Sequence, residues 1–418
     1  MTTTTLAGAR SRPASIESRA SWVVALTALG IYTVSYGSPL IAVVALKPIA
    51  ADLGGARSVP SLAYSLAWFG ASVGGIGMGR LAERVGVRWT VMAGAVSIAL
   101  GLVVSTLGGP IALFLGHGLL IGLFGNAGIN APLYVYVSRW FDRRRGTAMA
   151  LISSGTYLAG TIWPVLFEHA IAAFGWRATM LVYAAFEVVV IVPVAAWVFG
   201  PPPEMAGLGI AGLRHGMPVI GLRPRTVQAL LCVAGLLCCI PMAMPQGHLV
   251  AFCSDLGIRA THGAAMLSLL LGCAFLSRSF WGIVADRIGG RRTVLAGSVC
   301  QITALSGFLL TQDEAGLFAV AGLFGLGFSG IIPAYVVAIR DLFPAAEAAW
   351  RVPVVLLFTG SGMAIGGWLA GAIYDTAGFY AAAFAAGVAV NALHIVVIGS
   401  LVLRQQLAAA RLAAAEGN

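Results

Sequence analysis

One arginine of this chain stands where arginine is costly. Arg278 lies in Leu276-Ser277-Arg278-Ser279-Phe280-Trp281-Gly282, inside a long apolar run and eight residues before Asp286. On a helix that is about 12 Å from Asp286. A charge at that depth in an apolar solvent faces a polar cavity or a partner. Two readings are open: an arginine that snorkels to an interface or pairs structurally, and a guanidinium whose planar fork holds a carboxylate. Neutral hydrogen-bonding groups recur in other apolar runs. Asn126, Asn130 and Tyr134 lie four apart, so one helix face presents two amides and a phenol, and Tyr32 and Tyr36 share a face likewise. Together they could orient the uncharged part of a small molecule, although buried Tyr and Asn also serve packing between helices. Glu187 and His394 are further titratable groups within apolar runs. The six cysteines, Cys232 to Cys300, fall in or beside apolar segments without metal-ligand spacing and read as packing residues. No loop holds a catalytic constellation or a cofactor motif. Enzyme activity, cofactors and metals are therefore not expected.

The elements that carry these groups follow from composition. Only 10% of the 418 residues are charged and 59% are hydrophobic, with a mean hydropathy of +0.92. A soluble protein carries about 25% charged residues, and one or two soluble domains offer no way to hide so much apolar side chain from water. Lipid has to be the solvent. The net charge of +10 comes from 24 arginines and Lys47 against 15 acids. The basic residues form short clusters between apolar runs rather than a continuous face, which argues against nucleic-acid binding. About twenty mostly polar residues, with Arg10, Arg12 and Arg19, precede a first apolar run too long for a signal peptide.

A helix needs about twenty apolar residues to cross the hydrocarbon. That ruler predicts spans near 21–46, 60–79, 90–107, 111–138, 147–173 and 176–199, then 226–254, 263–285, 294–311, 315–339, 352–374 and 378–403. The fold class expected is an all-α polytopic membrane protein of twelve helices in two six-helix bundles. The division is a tail over 1–20, a bundle over 21–200, a linker over 201–225, a second bundle over 226–404 and a tail over 405–418. Twelve spans place both termini on one side. That side carries 20 basic residues; the other has Lys47, Arg57, Arg177 and Arg259. The positive-inside rule then puts both termini, the linker and the arginine clusters in the cytoplasm. A plasma membrane is expected, in a bacterium the inner one.

The chain also repeats itself. Gly79-Arg-Leu-Ala-Glu-Arg-Val-Gly-Val-Arg88, after the second span, matches Gly282-Ile-Val-Ala-Asp-Arg-Ile-Gly-Gly-Arg291 after the eighth, 203 residues on. Gly122-Leu-Phe-Gly in the fourth span matches Gly322-Leu-Phe-Gly in the tenth, and Tyr335 is the repeat mate of Tyr134. Asp52-Leu53-Gly54 matches Asp255-Leu256-Gly257. Matches between spans n and n+6 argue for a duplicated six-helix unit, whose even span number makes the repeats parallel. On these motifs the chain resembles the major facilitator superfamily over essentially its whole length. The resemblance implies a secondary transporter of that fold. Its loop signature, here Gly79, Glu83, Arg84 and Arg88 with Gly282, Asp286, Arg287 and Arg291, implies a cytoplasmic gate: carboxylates, arginines and close-packing glycines at helix ends whose pairs form and break as the halves rock.

Arg278-x-x-x-Gly282-x-x-Ala285-Asp286 is similar to the eighth helix of monocarboxylate transporters and the related oxalate/formate antiporters, where the matching arginine binds the substrate carboxylate. Trp140-Phe-Asp-Arg-Arg-Arg-Gly-Thr-Ala resembles that branch's entry to the fifth helix. The chain departs from it as well. Ala274 stands where animal members have an aspartate, Leu40 where they have a lysine, and no lysine occurs near Phe358–Met363. A dianion held by two fixed cations is therefore not expected. The function expected is alternating-access transport of a small organic anion such as a monocarboxylate. Arg278 would hold the carboxylate, and Tyr134, Asn130, Asn126, Tyr335, Tyr36 and Tyr32 would complete the binding site. A co-transported proton is left open. The monomer is the expected functional unit, with lipid its surroundings. Efflux of drugs or other amphiphiles is the alternative, and a non-transporting membrane sensor a more distant one.

Overall fold

The computed structural model describes residues 15–201 and 221–416. The first tail up to residue 14, most of the linker including Arg214, and the last two residues lie outside this description. The described residues are helical almost throughout, without a strand. Ten helical runs are long and apolar enough to cross a membrane. One of them, Gly146–Val198, contains two crossings that reverse at Gly175 (φ 78°). Ser58–Val85 is a further crossing, made less apolar by the serines and glycines along its length. The described residues thus form twelve spans. In order they are Arg19–Val44, Ser58–Val85, Val87–Thr106, Gly109–Ser138, the fifth and sixth within Gly146–Val198, then Pro224–Asp255, Ala260–Ile288, Gly290–Leu310, Glu314–Leu342, Trp350–Ala377 and Tyr380–Leu407.

The second and eighth spans outrun their predicted ends at 79 and 285, reaching Val85 and Ile288. A hydropathy ruler stops at the first charge, whereas the helix stops at a backbone that leaves the helical region. Gly86 (φ 89°) and Gly289 (φ 82°) supply that backbone in the two loop signatures. Their positive φ, which glycine adopts without a Cβ clash, reverses the chain in a single residue.

Each half has its own core. One cluster joins Val24, Ile31, Ile98, Leu133, Trp176 and Ile191. The other joins Leu231, Leu267, Phe308, Phe324, Phe384 and Leu401. Glycine faces bring backbones together within each half, as lipid-solvated helices require. A Cβ at Gly94 would meet the Gly125 carbonyl at 2.9 Å, and one at Gly101 the Gly116 carbonyl at 2.7 Å. Outward faces stay apolar: Val182, Val189 and Trp197 along the sixth span are each more than two-thirds exposed. In water such a stripe would be an aggregation surface; in lipid it is solvated.

Two helices depart from regular geometry. The first span breaks at Tyr36, and Gly37–Val44 resumes beyond it. A break leaves carbonyls without helical donors, and two neighbouring side chains take them. Trp163 Nε1 donates to Thr33 O (2.8 Å) and the Tyr183 hydroxyl to Val34 O (2.7 Å). The fourth span carries a π-helical stretch, Leu115–Asn126, a distortion that often accompanies a functional site.

Candidate functional site

The halves meet along two helix pairs, the second with the eleventh and the fifth with the eighth. Small residues set the first seam. Added Cβ atoms at Gly360, Gly367 and Gly371 would run into Ser72, Ser65 and Ser61. The seam thus reaches from the arginine-poor end only to the middle of the second span. A cluster of hydrogen bonds and ion pairs joins the halves at that same end. Lys47 and Arg57 bond Asp255, and Asp375 accepts from the backbone of Arg57 and Ser58. At the arginine-rich end Glu83, Arg84, Asp286 and Arg287 are exposed.

Between the halves lies a cavity of about 170 Å³. Arg278, on the eighth span, enters it from the C-terminal half. Its guanidinium carbon lies 5.1 Å from the centre of the Tyr157 ring, a cation–π distance. No Asp or Glu pairs with it among the described residues. The facing wall is aromatic. Tyr32 and Tyr36 stack at 4.9 Å, Tyr134 meets Tyr32 edge-on at 5.9 Å, and Trp68 lies 5.6 Å from Tyr36. Tyr64, Tyr157, Ser153, Thr156, Gln246 and Phe328 complete much of the lining. A cavity this size holds about six waters, at roughly 30 Å³ each.

The structure brings together Arg278, Tyr134, Tyr36 and Tyr32 of the expected binding residues, and sets three others behind or away from the cavity. Asn130 donates from Nδ2 to the Tyr36 hydroxyl (2.7 Å), so it orients a wall residue from behind. Asn126 is 2% exposed and borders a void of about 10 Å³ behind Tyr36 and Trp68, its Oδ1 without a hydrogen-bond partner. Tyr335 is fully buried in the C-terminal half and shares a 2.8 Å hydrogen bond with His394 Nε2. Tyr335 is placed differently from Tyr134 for a geometric reason. The Gly-Leu-Phe-Gly runs match at an offset of 200, but the Pro-x-Tyr runs match at 201. One residue on a helix is about 100° of rotation, enough to turn a cavity face into a core face. Ile332, at the offset of 200 from Pro132, is the tenth-span residue that lines the cavity.

The two loop signatures do not touch in this conformation. Glu83, Arg84, Gly282, Asp286 and Arg287 are exposed. Arg88 Nε donates to Phe199 O (3.0 Å) within its own half, beside a hollow of about 460 Å³ that Gly79 and Glu83 also line. Arg291 is only 5% exposed, and its Nε and Nη1 have no partner.

Sequence reasoning missed much of the aromatic wall. Tyr64 and Trp68, four apart on the second span, carry the same face signal as Tyr32 and Tyr36, and would have been found by it. Tyr157 has no such spacing; only the approach of the fifth span to the eighth brings it to Arg278.

Twelve spans in two halves around a central, largely aromatic cavity have the architecture of a membrane transporter. The family model of the Major Facilitator Superfamily matches residues 22–246 and 229–417, and the chain belongs to that superfamily. Monocarboxylate transporter 13 of Bos taurus is 26% identical, over 78% of this chain and 75% of its own length. The MFS-type transporter pynF of Aspergillus niger is also 26% identical, over 86% and 83%. Monocarboxylate transporter 6 of Mus musculus is 34% identical over a shorter stretch, 40% of this chain and 36% of its own. Among solved structures, the fold matches a bacterial homologue of the human lysosomal transporter Spinster in an inward-facing, occupied conformation. That match has a TM-score of 0.71 and 14% identity, over 93% of this chain and 98% of the other.

Proposed function

We propose that this transporter carries a small monocarboxylate with an apolar or flat body. The observation that carries the reading is Arg278: a guanidinium in the cavity between the halves, without a carboxylate partner among the described residues. One cation suits one carboxylate, and the tyrosine and tryptophan wall suits an uncharged remainder. The similarity to two monocarboxylate transporters supports the same class. In this reading the bundles over 21–200 and 226–404 rock as units, with the arginine-rich end facing the cytoplasm of a plasma membrane and one chain as the working unit. Glu83, Arg84 and Arg88 with Asp286, Arg287 and Arg291 latch that end when it closes. The present conformation is then open to the cytoplasm.

The test is uptake into proteoliposomes of a panel of labelled carboxylates at two external pH values, with wild type, Arg278→Gln and Arg278→Lys. A charge-assisted hydrogen bond contributes about 1.5–3 kcal/mol, so Arg278→Gln is expected to lower carboxylate uptake roughly 10- to 100-fold. Arg278→Lys restores part of it. Unimpaired uptake by the Gln variant would end the anion-site reading. Export of larger amphiphiles has the aromatic lining in its favour and the small cavity against it; drug sensitivity of a deletion strain separates the two.

A further inference from the structure

Two carboxylates of the C-terminal half close the arginine-poor end, and each sits in a receptor made by the N-terminal half. Arg57 grips Asp255 with both terminal nitrogens (2.5 and 2.7 Å), and Lys47 Nζ adds a third contact at 3.1 Å. Asp375 accepts from the backbone N–H groups of Arg57 (2.8 Å) and Ser58 (2.9 Å), capping the second span from the other half. The Arg57 guanidinium lies 3.6 Å from the centre of the Tyr374 ring, and Arg57 is 9% exposed. Burial works against its charge, yet the Asp255 carboxylate and the neighbouring Tyr380 hold it above the ordinary arginine range.

The repeat counterpart of Asp255 behaves differently. Asp52 is satisfied inside its own half by Trp176 Nε1 (2.9 Å) and Arg177 (2.6 Å), which hold its carboxyl below the usual range. The pseudo-symmetry is therefore broken at this end: one half supplies the anions and the other the cations. When the halves part here, Asp255 and Asp375 leave with the C-terminal half. Lys47 and Arg57 stay behind on one lip, with no acid of their own half paired to either among the described residues. A preformed guanidinium fork backed by an ammonium, freshly stripped of its carboxylate, is a receptor for another carboxylate.

We infer that Lys47 and Arg57 form an outer carboxylate-binding site, in which Asp255 stands in for the substrate's carboxylate while this end is closed. The inference rests on the monocarboxylate reading above and adds a second station to it, at the opposite end of the route from the opening beside Arg278. A substrate carboxylate that replaces Asp255 binds only the open state, so it shifts the equilibrium toward opening by its differential affinity.

Hydrogen exchange on the full chain in lipid nanodiscs tests this, read at the peptide covering residues 54–62. Asp375 protects the Arg57 and Ser58 amides only while the end is closed. Acetate, lactate, pyruvate and benzoate are compared with chloride at equal ionic strength. At least one of the four is expected to raise exchange several-fold over chloride. Lys47→Gln, which keeps the Arg57–Asp255 pair, is expected to need several-fold more of the same acid. Arg57→Gln is expected to exchange fast without ligand and to stop responding. Arg278→Gln, with its transport impaired, still responds. The inference is overturned if none of the four acids exceeds chloride, or if Lys47→Gln responds like wild type. A response lost in Arg278→Gln also overturns it, and leaves the inner anion site standing.

Discussion

At the scale of the residue, Arg278 and the tyrosines it faces divide the work of binding. The guanidinium supplies charge; the aromatic wall supplies contact area and the oriented Tyr36 hydroxyl. Tyr36 is oriented by Asn130, whose amide reaches it from behind the wall (2.7 Å). An intramolecular hydrogen bond of this kind contributes about 1 kcal/mol. Asn130→Leu is therefore expected to raise the substrate KM several-fold with kcat nearly unchanged, and Tyr36→Phe to do the same. Because both remove one interaction, the double variant should resemble either single one in a double-mutant cycle. Additive losses in uptake kinetics would show that Asn130 acts on something other than Tyr36. Arg278 was legible in the sequence because no topology rule accounts for it. The supporting role of Asn130 was not, since its spacing from Tyr134 says only that they share a face.

At the scale of the element, the broken first span matters most. Tyr32 and Tyr36 reach the cavity just before the break, and the freed carbonyls of Thr33 and Val34 are held by Trp163 and Tyr183. Gly37 permits that approach: a Cβ there would lie 2.9 Å from the Trp163 ring. Tyr183→Phe leaves the Val34 carbonyl buried without its partner, a loss of about 1–3 kcal/mol. The expected outcome is a lower melting temperature in detergent, together with weaker transport. A variant as stable as wild type would mean the break is held by packing alone. The loop-signature glycines make a parallel case. Gly289→Val forces a β-branched residue to φ 82° and ψ 158°, a region open essentially to glycine alone, with a cost of roughly 1–3 kcal/mol. Folded yield on size exclusion is expected to fall even where the charges of the signature are intact. Hydropathy found both helix pairs but placed their ends short of these turns, because it measures solvent preference and not backbone geometry.

At the scale of the whole molecule, the seam between the second and eleventh spans decides which end is closed. Gly360, Gly367 and Gly371 lie seven and four residues apart on one face and meet Ser72, Ser65 and Ser61. Glycine there lets the halves come close enough for Arg57 to reach Asp255 and for Asp375 to cap the second span. A leucine at position 371 would collide with Ser61 and the Arg57 carbonyl, which a Cβ alone meets at 3.0 Å. Gly371→Leu is expected to raise hydrogen exchange at residues 54–62 without ligand and to slow transport, while melting like wild type. Unchanged exchange would show that the ion cluster, and not the seam, sets the closed state.

Composition alone determined that lipid is the solvent, because a chain with 10% charged residues cannot cover itself in water. Arginine asymmetry and the repeat at 200–203 residues added the likeness of the two halves, since duplication leaves matching motifs whether or not the copies still act alike. Only the tertiary structure decided where the copies differ. Tyr134 faces the cavity and Tyr335 a core, through a one-residue slip in register. Asp52 pairs within its half and Asp255 across the halves, although Arg259 stands at the start of the eighth span as Arg57 stands at the start of the second. Pairing across an interface depends on how two bundles are placed, and neither bundle's sequence carries that placement by itself.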